Sequence, residues 1–184
     1  MDSSARRQNL KQVEHFLSQL EKRGRILVAL AARLEREADT LDITAYRPFR
    51  EEVDNFKALS LILTERLAKM ESHSRKDELE INFHRLQVLM LRVVIKSSLK
   101  FFFVMSAKSV LPLGSKELFQ SELRTLYEAE RMLSDPRYES ELDESARDDL
   151  ELAKEILEEI IQHAPTLLNF GDRKPKRKKA RKAS

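Results

Sequence analysis

From about Ser4 to Leu41 the apolar residues return in alternating steps of three and four. They are Leu10, Val13, Leu17, Leu20, Gly24, Leu27, Ala31, Leu34, Ala38 and Leu41. A 3.5-residue period held that far is the seam of a coiled coil or of a long bundle helix. Gly24, Ala31 and Ala38 thin its second half, where a partner helix is expected to approach closely. Covered within its own chain, the seam packs a bundle. Covered by another chain, it gives a protein partner or self-association through the first helix.

Residues 42–47 (DITAYR) read as a short link, with Pro48 in the first turn of the next helix, where its missing N–H does no harm. Glu51, Glu52 and Asp54 then fall where the positive end of the helix dipole favours acids. Phe49, Val53, Phe56, Leu63, Leu67 and Met70 mark the second apolar stripe, interrupted by Ser60. Glu71–Lys76 is the next link, and Ser74 with Asp77 resembles a capping box.

A third helix is expected over Arg75–Val110, about 54 Å at 1.5 Å per residue, ended by Pro112 and Gly114. It holds the most apolar stretch of the chain, including Phe101, Phe102, Phe103, Val104 and Met105 in succession. A fourth spans about Lys116–Ser134, capped by Ser115, with Phe119, Leu123, Leu126 and Tyr127 inward and Asp135-Pro136 stopping it. After a polar loop, Ser145 opens a fifth, which Pro165 closes. Its inner stripe is Ala146, Leu150, Ala153, Leu157, Ile160, Ile161 and Ala164, and its remaining surface is acidic.

The expected fold is therefore all-α: an elongated bundle of about five helices, two long and three shorter, over residues 1–171. Residues 172–184 form a disordered basic C-terminal tail, too charged and too poor in apolar groups to fold. Three glycines and five prolines in 184 residues agree with long helices and few turns.

Charge adds what periodicity cannot. Residues 1–114 carry 20 Lys and Arg against 15 Asp and Glu, residues 115–171 carry 6 against 15, and residues 172–184 carry 8 against 1. The net +3 is thus a property of the tail, while the body is acidic. From Ile81 to Lys116 there is no acid in 36 residues. Within that window Arg92, Lys96 and Lys100 share with Arg85 a sector of about 80° on the third helix. Leu89 and Phe103 lie in the same sector.

Cations among apolar residues need partners. Three are open: carboxylates of the fourth and fifth helices, an anionic macromolecule, or a small anion held between helices. Arg85, Arg92, Lys96 and Lys100 are the candidate anion-binding residues. A membrane span is disfavoured, because each buried cation costs about 2.5–3.5 kcal/mol on insertion scales.

The tail is the clearest functional hint. Arg173, Lys174, Lys176, Arg177, Lys178, Lys179, Arg181 and Lys182 crowd 13 residues. They are the candidate nucleic-acid contacts, and KPKRKK also passes as a nuclear-localisation pattern. No aromatic residue interleaves them, so phosphate attraction without base reading is expected. The scattered histidines, absent cysteines and isolated glycines match no metal, thiol, P-loop or dinucleotide motif. The expectation is a non-enzymatic interaction or assembly protein without cofactor or metal. It is expected in the cytoplasm, or in the nucleus or nucleoid if the tail binds there.

Overall fold

A computed structural model describes residues 3–36, 43–70, 73–106 and 115–168. They form α1 (Ser3–Arg36), α2 (Ile43–Ala68), α3 (Lys76–Ser106), α4 (Ser115–Leu133) and α5 (Glu144–Leu168). A 3-10 turn, Pro136–Glu141, joins the last two. There is no strand among the described residues. The fold is an all-α bundle.

α3 touches every other element, as the most apolar segment must if its surface is to be covered. Cross-helix bonds fix the directions. The Arg23 guanidinium bonds the Glu52 carboxylate at 3.0 Å, and the Asn9 amide donates to the Arg66 carbonyl at 3.3 Å. α1 and α2 are therefore antiparallel. α1 and α3 run parallel, since Glu14 meets Arg75 and Glu35 meets Lys96. α4 returns antiparallel along α3, with Phe119 edge-on to Phe102 and Glu122 against Ser98.

Over the described residues the α1 seam is covered inside the chain, and its last two expected members, Ala38 and Leu41, lie outside them. Val13, Leu17, Leu20, Gly24 and Leu27 are buried, and Leu10, Ala31 and Leu34 are partly so. The thinning at Gly24 admits α3: a Cβ placed there would stand 3.3 Å from Met90 Sδ and 3.5 Å from Leu86 Cδ1.

Several expected boundaries move. Of the expected link at 42–47, residues 43–47 belong to α2, which begins at Ile43 and carries Pro48 inside it, and residue 42 lies outside the described residues. Tyr46 fixes this turn: its ring packs on Phe49 and Phe101, and its hydroxyl donates to the Ser97 carbonyl at 3.2 Å. Glu51, Glu52 and Asp54 consequently lie beyond the first turn, outside the reach of the dipole. Glu52 is instead buried against Arg23.

At the start of α3 the expected Ser74–Asp77 box is replaced by His73, whose Nδ1 accepts from the Arg75 N–H at 3.2 Å. The end expected at Pro112 and Gly114 lies outside the described residues. The polar loop after α4 is the 3-10 turn. Asp135 caps it, accepting from the Arg137 N–H at 3.1 Å, and Tyr138 is buried edge-on to the His84 ring.

α4 is rotated from the expected face. Glu122, Thr125, Leu126, Ala129 and Leu133 point inward, while Tyr127 is nearly half exposed. α5 is opened by Asp143 rather than Ser145, through an Oδ1 that accepts from the Ala146 N–H at 2.9 Å. Pro165 lies within α5, where it removes one hydrogen bond without ending the helix. Ile161, expected on the inner stripe, is exposed.

Candidate functional site

Two places on the bundle concentrate chemistry. The first is the α3 face between α1 and α5, which carries the predicted basic stripe. Arg85, Lys96 and Lys100 are exposed there, Leu89 is half exposed, and Phe103 is 70% exposed. Arg92 Nη2 bonds both carboxylate oxygens of Asp143, at 2.8 and 2.7 Å. Asp143 thus caps α5 and ties it to α3 with one side chain. The Ala146 N–H and then Arg92 hold its carboxyl below the ordinary carboxylate range.

Lys96 makes no ion pair with the fourth or fifth helix among the described residues, the pairing favoured by the charge segregation, although Asp149 of α5 lies near enough to feel its charge. Lys96 meets Glu35 of α1 at 3.3 Å, with both side chains over half exposed (65% and 60%). Exposed pairs are worth about 0–1 kcal/mol. Lys96→Met is therefore expected to move the thermal melt by no more than that. A loss of several kcal/mol in a denaturant titration would show the pair to be desolvated. Lys100 makes no ion pair among the described residues and lies 5.8 Å from the Phe103 ring centroid. Arg85 makes none either.

Beside this stripe the helices line a half-open cavity of about 550 Å³. Val28, Ala31 and Ala32 of α1, Val93 and Leu99 of α3 and Leu152 of α5 give it apolar walls. The small side chains of α1 leave the room. Lys96, Lys100, Glu35 and Asp149 supply its charges, and Tyr46 and Ser97 also line it. Burial raises the Asp149 carboxyl above its ordinary range, against the opposing pull of Lys96 and Arg92.

The second place is a buried polar cluster where α2, α3 and α4 meet. Glu122 has no exposed surface. The Ser98 hydroxyl donates to its Oε1, and Arg50 Nη1 stands 3.4 Å from its Oε2. That ion pair lacks hydrogen-bond alignment, since Arg50 Nη1 and Nε and Glu122 Oε2 have no hydrogen-bond partner. Arg50 Nη2 spends its bond on Ser121 Oγ at 3.1 Å. Burial raises the Glu122 carboxyl, with Arg50, Ser98 and Tyr46 pulling the other way. Burial first, and then Glu122, push the Tyr46 phenol well above its ordinary range.

Lys57 and Glu128 at 2.8 Å continue the α2–α4 seam toward solvent. Across this seam Arg50 reaches Ser121 and Glu122, and Lys57 reaches Glu128, all through polar side chains.

Sequence reasoning singled out the stripe but missed Tyr46, Arg50, Ser98 and Glu122. The available signal was Glu122 itself, four residues from both Leu118 and Leu126 on one helix face. The eight tail cations lie outside the described residues. Among the described residues no group of three or more His, Asp or Glu is placed to hold a metal, and no helix is long and apolar enough to cross a membrane. Comparison with protein-family models, curated proteins and solved structures gives no match to the chain.

Proposed function

We propose that the chain is a non-enzymatic helical-bundle interaction protein whose basic C-terminal tail attaches it electrostatically to nucleic acid. The observation that carries this reading is the charge segregation. Eight cations stand in the last 13 residues, behind a body that is itself acidic. An acidic bundle is repelled by phosphate, so attachment concentrates in the tail. The exposed acids of α5, among them Asp148, Glu151, Glu155 and Glu158, reinforce the contrast.

The test is a truncation of residues 172–184. Full-length protein is expected to bind duplex DNA with an affinity that falls steeply with salt, by about −0.9 log units per log unit for each phosphate neutralised. The truncated chain should keep its circular dichroism and melt while losing most of that affinity. Equal affinity and salt slope in both proteins would exclude the tail as the attachment device.

One observation favours a second reading, a bundle that binds a small anionic ligand against Arg92, Lys96 and Lys100. It is the cavity, which lies against Lys96 and Lys100.

A further inference from the structure

We propose that the α1–α3–α5 cavity takes a monocarboxylate with a long apolar chain, its chain between the helices and its head group on Lys100. The inference rests on the second reading above and narrows it to one ligand class.

Size and wall chemistry set the body of the ligand. At about 550 Å³ the cavity falls in the range of small-molecule sites. Its walls are mostly aliphatic, with Phe103 and Leu152 left exposed beside it. A 70% exposed phenyl next to a half-exposed leucine is surface that an apolar chain would remove from water.

The charges set the head group. Of the cations along this face, Arg92 is held by two bonds to Asp143 and Lys96 is paired with Glu35. Lys100 lines the cavity, is exposed, and is free of carboxylate partners among the described residues. Its contact is the Phe103 ring, so a head group there would sit where the apolar rim ends. Glu35 and Asp149 line the α1 and α5 sides and would repel a second negative charge. One anionic group is therefore accommodated and two are not, which separates a carboxylate from a phosphate dianion.

The test is calorimetric titration of the full chain with four probes: decanoate below its micelle threshold, octanoate, decanol and inorganic phosphate. Decanoate is expected to bind saturably with one site per chain. Octanoate should be weaker by about fourfold for each methylene lost. Lys100→Met should weaken decanoate by about tenfold and leave decanol unchanged, because only the charged head meets the ammonium. Ala32→Trp, a substitution at an exposed lining position, should abolish both while the thermal melt is kept.

Decanoate binding that survives Ala32→Trp would place the ligand elsewhere and overturn the inference. Equal loss of decanol and decanoate on Lys100→Met would overturn the head-group assignment. Phosphate binding without decanoate binding would overturn the inference and leave the small-anion reading standing. Absence of binding by any probe, the result if the chain's own residues fill the cavity, would remove both.

Discussion

Glu122→Met is expected to destabilise the bundle by about 3–5 kcal/mol, because removing one partner strands the other charge in a desolvated site. The Arg50 side chain is 11% exposed, and its nearest other carboxylate, Asp54, stands 4.0 Å away on the solvent side. Arg50→Met should cost a similar amount by stranding Glu122 among Ser98, Tyr46 and the α3 core.

The double variant Arg50→Met/Glu122→Met should recover most of the loss. Replacing a buried ion pair by apolar residues of similar volume is often neutral or stabilising by about 1–4 kcal/mol. The imperfect alignment of this pair, with three polar atoms left without hydrogen bonds, favours that outcome. Chemical denaturation of the four proteins closes the cycle. Additive losses in the double variant would mean that Arg50 and Glu122 are stabilised independently.

Acidification sharpens the same test. The folded-state affinity of Glu122 for a proton is raised by burial, so its contribution is fully present below the ordinary carboxylate range. It is lost as pH rises through the folded value. Asp143, Glu78 and Glu128 are shifted the opposite way, and their contributions fade as pH falls below that range. Those three are common to wild type and Glu122→Gln. The wild-type stability relative to Glu122→Gln should therefore increase on acidification from neutral pH, even while both proteins lose stability overall.

The polar cluster and the seams differ in how far the sequence reveals them. The α1 seam is legible because burial there follows one period, and every buried member is apolar or glycine. The placement of Gly24 against another helix is legible for the same reason, though the identity of that helix as α3 is not. α4 shows the converse. Choosing its inner face by apolarity selects Tyr127 and passes over Glu122 and Thr125, yet the polar pair is buried and the tyrosine is not. A carboxylate becomes an inward residue only through partners on other helices, here Ser98, Arg50 and Tyr46, and no local pattern carries those.

The start of α2 was hidden in a similar way. Residues 42–47 look like a link because Asp42, Thr44 and Arg47 are polar and a proline follows. Tyr46 holds residues 43–47 helical through contacts with residues more than fifty positions distant. The stripe on α3 lies between these cases. The shared face of its cations followed from geometry along one helix, whereas their exposure and the pairing of Lys96 with Glu35 depended on how the neighbouring helices lie alongside.

Leu20→Ala and Leu27→Ala are each expected to lower the stability of the chain by about 2–5 kcal/mol, the cost of emptying a fully buried leucine site. Both side chains have no exposed surface, and they sit where α1 packs on its own α2 and α3. The void has little room to collapse near Gly24, because Met90 and Leu86 already crowd the space a Cβ would take there. Leu27→Asp should go further and leave the chain unfolded at ambient temperature, since an unpaired carboxylate would replace the leucine.

The decisive readout is concentration dependence. A seam covered within one chain gives unfolding midpoints that stay fixed across micromolar dilution. A seam shared between chains gives midpoints that rise with concentration, because association stabilises the folded form by mass action. Fixed midpoints for wild type, Leu20→Ala and Leu27→Ala would confine the heptad pattern to intramolecular packing. Midpoints that climb with concentration in wild type and not in the variants would return it to an interface between chains.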